Sequence, residues 1–292
     1  MNNAVIILTK NEEVHLERCI LNIPSLFNKI YVIDSFSSDR TKEIAKKFPV
    51  VFLENKFLNH SKQFNWALDH LDKKTDWVLR IDADEFLSKQ LIEEMSCKIP
   101  KLDSCVKGIF LPRRIIFQNQ LIRYGGINKT KVLRLFKYDY GKCDDRWMDE
   151  HIKVNGKTVN FENSIIDYNL KPISWWINKH NDYASREAFQ IINDELCANE
   201  KKNNSYFKSH KKRSTYYKSP LFIRSFLYFV YRYFICFGFL DGFKGFSFHF
   251  LQAFWYRLLV DIKYLEVKNN ISQSKLPSKK VIRNILHIDL HN

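Results

Sequence analysis

The six cysteines of this chain, at 19, 97, 105, 143, 197 and 236, show no C-x-x-C and no paired Cys/His spacing. That argues against a structural zinc site and fits reduced thiols in a cytosol. No G-x-G-x-x-G follows the first apolar stretch, and no G-x-x-x-x-G-K-[ST] occurs anywhere. A dinucleotide dehydrogenase and a P-loop NTPase are both disfavoured. Apolar runs near the C-terminus are broken by Arg232, Asp241, Lys244 and Arg257. Each falls short of the ~20 residues that cross a bilayer, so a spanning helix is not expected, while a re-entrant pair stays open. The N-terminus enters a strand directly, without the basic and long apolar regions of a signal peptide. Acids are in deficit: 47 Lys and Arg against 32 Asp and Glu give a net charge of +15.

Alternation of strand and helix periods dominates the first third. Ala4–Thr9, Ile30–Asp34, Val50–Leu53 and Trp77–Asp82 are apolar, strand-length segments. Between them, Glu13–Ile23, Arg40–Phe48 and Ser61–Leu71 place apolar residues at helical spacing. Such alternation predicts a mostly parallel, doubly wound sheet. Ligands of such sheets bind outside the carboxyl ends of the strands. The polar clusters fall there: Thr9-Lys10-Asn11-Glu12, Asp34 to Asp39, and Asp82-Ala83-Asp84-Glu85.

The last cluster is the most informative. Alternate strand residues share a face, so Asp82 and Asp84 can converge on one bound group. Paired carboxylates at a strand end suit Mg2+ or Mn2+, which keep open positions for substrate phosphates. A solvated turn, with Glu85 opening the next helix, is the competing reading. Thr9-x-x-Glu12 also reads as a capping box, and Ser37, Ser38 and Asp39, or Asn59 and Ser61, as helix caps.

Four segments resemble glycosyltransferase family 2: VIILTKNEE (Val5–Glu13), VIDSFSSDRT (Val32–Thr41), HSKQFNWAL (His60–Leu68) and LRIDADE (Leu79–Glu85). VLRLF, DEH, KHNDYASREA and FLDGFKG further along are similar to its lipopolysaccharide-core and surface-glycan branch. The resemblance implies a GT-A fold, Rossmann-like, and inverting sugar transfer from a nucleotide-sugar, taken here as a uridine diphosphate sugar. It implies that Thr9, Asn11 and Glu12 line the nucleoside pocket, that Asp34 holds base or ribose, and that Asp39 sits at the edge. Lys62 and Gln63 would meet the diphosphate; Arg80 and Asp82 would flank the nucleotide. Asp84 would be the main metal ligand, with Asp82 and His151 as further candidates. Glu150 is the favoured general base for the acceptor hydroxyl, with Asp149 the alternative.

The C-terminal region differs in kind. From Lys201 through Val260 there are eleven Lys or Arg and one acid, Asp241. Sixteen of the chain's 44 aromatic residues lie between Phe222 and Tyr256. Residues 1–200 are expected to form the GT-A domain. Residues 201–292 would form a basic linker and helical, aromatic-rich region. Two readings stand for those helices: a core packed on the catalytic domain, or a face lying on an anionic membrane. The expected setting is cytoplasmic, peripheral at the inner face of the cytoplasmic membrane, with a glycan or glycolipid acceptor and no nucleic acid partner. A non-catalytic basic protein that binds anionic lipid or single-stranded nucleic acid is the alternative.

Overall fold

The computed structural model describes residues 1–127, 130–144, 151–200 (backbone only at 194 and 196–200), 219–273, 282 and 284–286. Asp149 and Glu150 lie outside the described residues. The chain forms two compact units, Met1–Arg123 with Ile127–Lys171, and Tyr124–Gly126 with Pro172–Asn292.

The first unit is built on β1 (Ala4–Thr9), β2 (Lys29–Asp34), β3 (Val51–Glu54) and β4 (Trp77–Asp82), all parallel in the order β3-β2-β1-β4. The strand side chains alternate between two cores, as the pleat requires. Val5, Ile7, Val32, Leu79 and Ile81 pack with Leu16, Cys19 and Ile20 of α1 (Leu16–Asn22). Ala4, Ile6, Ile33 and Val78 pack with Phe64, Ala67 and Leu68 of α3 (His60–Asp69). The sheet is therefore covered on both faces, which accounts for the near-continuous apolar character of β1. α2 (Thr41–Ala45) follows β2.

The helices are shorter than their periodicity suggests. α1 begins at Leu16 because the Glu12 carbonyl already accepts the N–H groups of His15 and Leu16. Thr9 caps nothing; its hydroxyl is turned to the Asp34 carboxylate at 2.9 Å. Asn59 does cap α3, accepting the Lys62 N–H at 2.7 Å.

Beyond β4 the sheet becomes mixed. β8 (Lys131–Lys137) runs antiparallel to both β4 and the long β6 (Val106–Phe117). β12 (Ile165–Tyr168) is parallel to β6, and β5 (Glu85–Leu87) closes the order antiparallel to β12. The doubly wound, parallel part is the first four strands. α4 (Lys89–Lys98) adds Leu91 and Met95 to the first core.

The second unit contains α5 (Ile173–Glu200), α6 (Ile223–Val230), α7 (Gly242–His249) and α8 (Tyr256–Gln273). The expected boundary at residue 200 thus moves to 171. The reason is packing: Ala184 of α5 joins Tyr256 and Val260 of α8 in one core. Glu187 accepts from the Tyr256 hydroxyl at 2.5 Å and from Arg257 at 2.6 Å.

Phe64 links core and rim. It is fully buried, meets Phe136 edge to face at 6.2 Å, and lies under the Arg80 guanidinium at 5.2 Å. Phe64→Ala should cost ~3–5 kcal/mol by removing a large side chain from a closed core. Urea denaturation checks this; a loss below ~1 kcal/mol would mean the site collapses freely around the gap.

Candidate functional site

Asp82 is the last residue of β4, and Ala83-Asp84 form a tight turn into β5. Strand alternation therefore stops at Asp82, and the two carboxylates take different partners. Asp82 pairs with Arg134 of β8 at 2.9 Å and lies 3.8 Å from Arg80. Asp84 accepts from the side-chain amide of Asn169 at 3.0 Å. Glu85 opens no helix. It is fully buried in β5, accepts the Asp82 N–H at 3.0 Å, and pairs with Arg134 at 2.6 Å and Arg113 at 3.5 Å.

The electrostatics separate these acids. Burial pushes the Glu85 carboxyl up, to about 7; Arg134 opposes this and the Asp82 charge adds to it. Burial also acts upward on Asp82, but the Arg134 and Arg80 guanidiniums outweigh it and hold that carboxyl below the usual range. Asp82 is thus an anion already matched by cations. Asp84 is different: among the described residues its carboxylate has one neutral hydrogen-bond donor and no ion pair.

Loops after β1, β2 and β12 interlock above the strand ends. Asn11, at a positive φ of 55°, donates its N–H to the Ser37 hydroxyl and accepts the Ser38 N–H at its side chain. Asparagine tolerates that backbone region better than most residues. Asp34 is buried, and its carboxylate accepts from Thr9, the Ser37 hydroxyl and the Ser37 N–H. Asp39 accepts from Glu13 N–H and from Thr41. Burial raises its carboxyl, but these bonds outweigh that and lower it overall. Glu12 bonds His15 Nδ1 at 2.6 Å and Lys171 at 2.8 Å, while His15 Nε2 accepts the Leu170 N–H. That acceptance puts the His15 proton on Nδ1, donating to Glu12.

The structure thus brings Thr9, Asn11, Glu12, Asp34 and Asp39 together on one rim, as interlocked loop anchors. Gln63 is buried and bonded to Asn55 and Ser35, holding the loop after β3. Lys62 is exposed on the first turn of α3. His151 is exposed at the entry to β10 (Ile152–Val154). Sequence reasoning missed Arg134, Arg113, Asn169, Lys171 and Arg18, whose guanidinium donates to the Asp84 and Tyr168 carbonyls. Arg134 had a signal, as the one charge inside the apolar run VLRLF. Asn169 and Lys171 had none, because β12 reaches the rim only through pairing with β6.

Residues 4–142 match the model of glycosyl transferase family 2. The first half of this chain is a glycosyl transferase family 2 domain. An uncharacterized glycosyltransferase of Rickettsia typhi is 27% identical over 259 residues, 82% of this chain and 80% of its own. One from Rickettsia felis is 26% identical over 292 residues, covering 93% and 94%. Among solved structures, S. aureus TarS 1–349 in complex with UDP aligns with 94% of this chain and 92% of its own, at 12% identity and a TM-score of 0.44.

This glycosyltransferase has the GT-A arrangement, and the alternative of a binding protein without chemistry falls away. Among the described residues, no three His, Cys, Asp or Glu side chains converge to hold a metal. A lone hard carboxylate at the turn still fits Mg2+ or Mn2+, because such ions are held by one or two carboxylates plus substrate phosphates. Asp84 has the right chemistry; Asp82 is already engaged by Arg134.

The Glu85–Arg134 pair should be essential to the turn. Glu85→Ala leaves the buried Arg134 with Asp82 as its remaining carboxylate and strips Arg113 of a nearby anion, and should cost ~1–3 kcal/mol. Replacing all three members of the network, Glu85→Leu with Arg134→Met and Asp82→Asn, should recover much of that loss, since no charge is then left facing the removed guanidinium. Urea melts of the three proteins check this; an alanine variant as stable as wild type contradicts it.

Proposed function

We propose that the protein transfers a sugar, with inversion, from a uridine diphosphate sugar to a lipopolysaccharide-core, lipid-linked or surface-polysaccharide acceptor. The observation that carries this reading is Asp84. Among the described residues it is the one acid of the Asp82–Glu85 turn without an ion pair, at the carboxyl end of a parallel sheet, where donors bind. Asp84 would hold Mg2+ or Mn2+, which when bound neutralises charge on the departing diphosphate.

The remaining roles belong to the chain's own side chains. Asp82 and Arg80 would flank the nucleotide, with Asp82 kept ionised by Arg134. Lys62 presents a cation at the start of α3, where a diphosphate is favoured. The anchored loops carrying Thr9, Asn11, Glu12, Asp34 and Asp39 would form a nucleoside pocket that needs little reorganisation on binding. Glu150 would accept the acceptor hydroxyl's proton, with Asp149 as the alternative base and His151 beside them. The expected setting is the inner face of the cytoplasmic membrane, where anionic lipid attracts the basic C-terminal region.

Asp84→Asn should abolish release of UDP from UDP-sugars while leaving the melting transition unchanged. Full wild-type turnover in excess chelator would sink the metal assignment. Glu150→Gln should slow transfer by about 10²-fold or more with donor affinity unchanged, since general-base catalysis typically contributes that much. A larger loss in Asp149→Asn would move the base by one residue.

A further inference from the structure

Between Phe222 and Phe250 the second unit has reversed polarity. Every exposed residue in that stretch is Phe, Leu, Ile, Tyr or Gly. Phe243 is 81% exposed and Ile235 65%. The charges of the same stretch are inside: Arg224, Arg232 and Asp241 are buried, and Lys244 is half-buried. Arg224 Nε donates to Asp261 at 3.0 Å, Arg232 Nε to the Gly125 carbonyl at 3.0 Å, and Asp241 accepts the Tyr124 N–H at 2.9 Å. A protein surface in water carries its charges outside. A surface among lipid chains keeps them in the interior, paired with one another or with backbone groups.

The apolar exterior does not come from loose packing. Phe229 stacks on Tyr233 at 5.4 Å and meets Phe246 and Phe250 edge to face. A Cβ at Gly125 or Gly238 would lie 2.0 or 2.7 Å from the buried His249 ring, so the backbone is closely fitted around it. From Glu266 onward exposed polar residues return, including Lys268.

The shape limits how this surface can meet a bilayer. No single helix among the described residues is long and apolar enough to cross a membrane. The pair Ile223–Ile235 and Gly238–Gln273 is so together, but is bent by 72°. At ~1.5 Å per residue the first arm rises only about 20 Å, against ~30 Å of hydrocarbon. The seven Lys and Arg between Lys201 and Lys218 precede it in sequence and carry the sign that anionic headgroups attract.

We propose that the Phe222–Phe250 helical pair inserts into one leaflet of an anionic lipid bilayer and turns back within it. This deepens the membrane placement proposed above and does not depend on the transfer chemistry. Insertion differs from surface attraction in its response to salt, because acyl-chain burial is not screened.

The test is flotation of the full-length protein with phosphatidylcholine–phosphatidylglycerol vesicles. Wild type should stay with the vesicles at high salt and after an alkaline carbonate wash. Phe239→Glu with Phe243→Glu, both at exposed positions, should lower partitioning by at least ~10-fold, since charge in hydrocarbon is costly. Phe243→Trp guards against a misfolded double variant: its added fluorescence, relative to wild type, should be quenched by lipids brominated in the acyl chains. Release of wild type at high salt would leave surface binding standing and overturn insertion. Unaltered flotation of the double variant, or no quenching in Phe243→Trp, would overturn it too. So would a wild type that ignores vesicles and self-associates, which would assign the face to a second copy of the chain.

Discussion

The buried carboxylate of Glu85 is the group on which the rim depends. One oxygen takes the Asp82 N–H and fixes where β4 ends; the other takes Arg134 from β8. Arg113 of β6 lies 3.5 Å from the same carboxylate. Three strands are thus tied to the turn that carries Asp84. Burying such a group is costly in itself, and an apolar residue would often pack as stably. The carboxylate supplies direction: it positions Arg134 to match Asp82, leaving Asp84 as the acid of the turn without an ion pair among the described residues.

The same division of labour runs through the loops. Asp34, Asp39, Glu12 and Gln63 spend their hydrogen bonds on neighbouring loops, joining the ends of β1, β2 and β3 to the segment after β12. Few apolar contacts are available to surface loops, so their order rests on these polar bonds. Loops held in this way are arranged in advance, which reduces the ordering cost of any binding that uses them.

Much of this was legible in sequence because it is local. β1 and β4 end where their apolar runs end, and the 2-residue and 3.6-residue periods named the elements of the first third. The Asp82–Glu85 cluster was placed at the carboxyl end of β4, where it lies, but the partners of its three acids were not legible. Alternation was carried one residue too far, into a turn, and Glu85 looked like a helix start. Its true partner, Arg134, lies 49 positions away. Asn169 and Lys171 are further still, and only the β6–β12 pairing brings them to the rim. The long α5 was grouped with the sheet because its packing partner, α8, lies far down the chain. The inverted polarity of Phe222–Phe250 was hidden for a related reason: aromatic spacing tells that a helix has an apolar face, not whether that face looks inward.

The central claim is that Asp84 and a nucleotide diphosphate together create the cation site, which the protein alone does not complete. Electron paramagnetic resonance of Mn2+ tests it directly, because the free-ion signal is lost on binding. With wild-type protein the signal should persist without nucleotide, fall when UDP is added, and persist in Asp84→Asn with UDP present. Mn2+ held equally by wild type and Asp84→Asn in the presence of UDP would contradict the account.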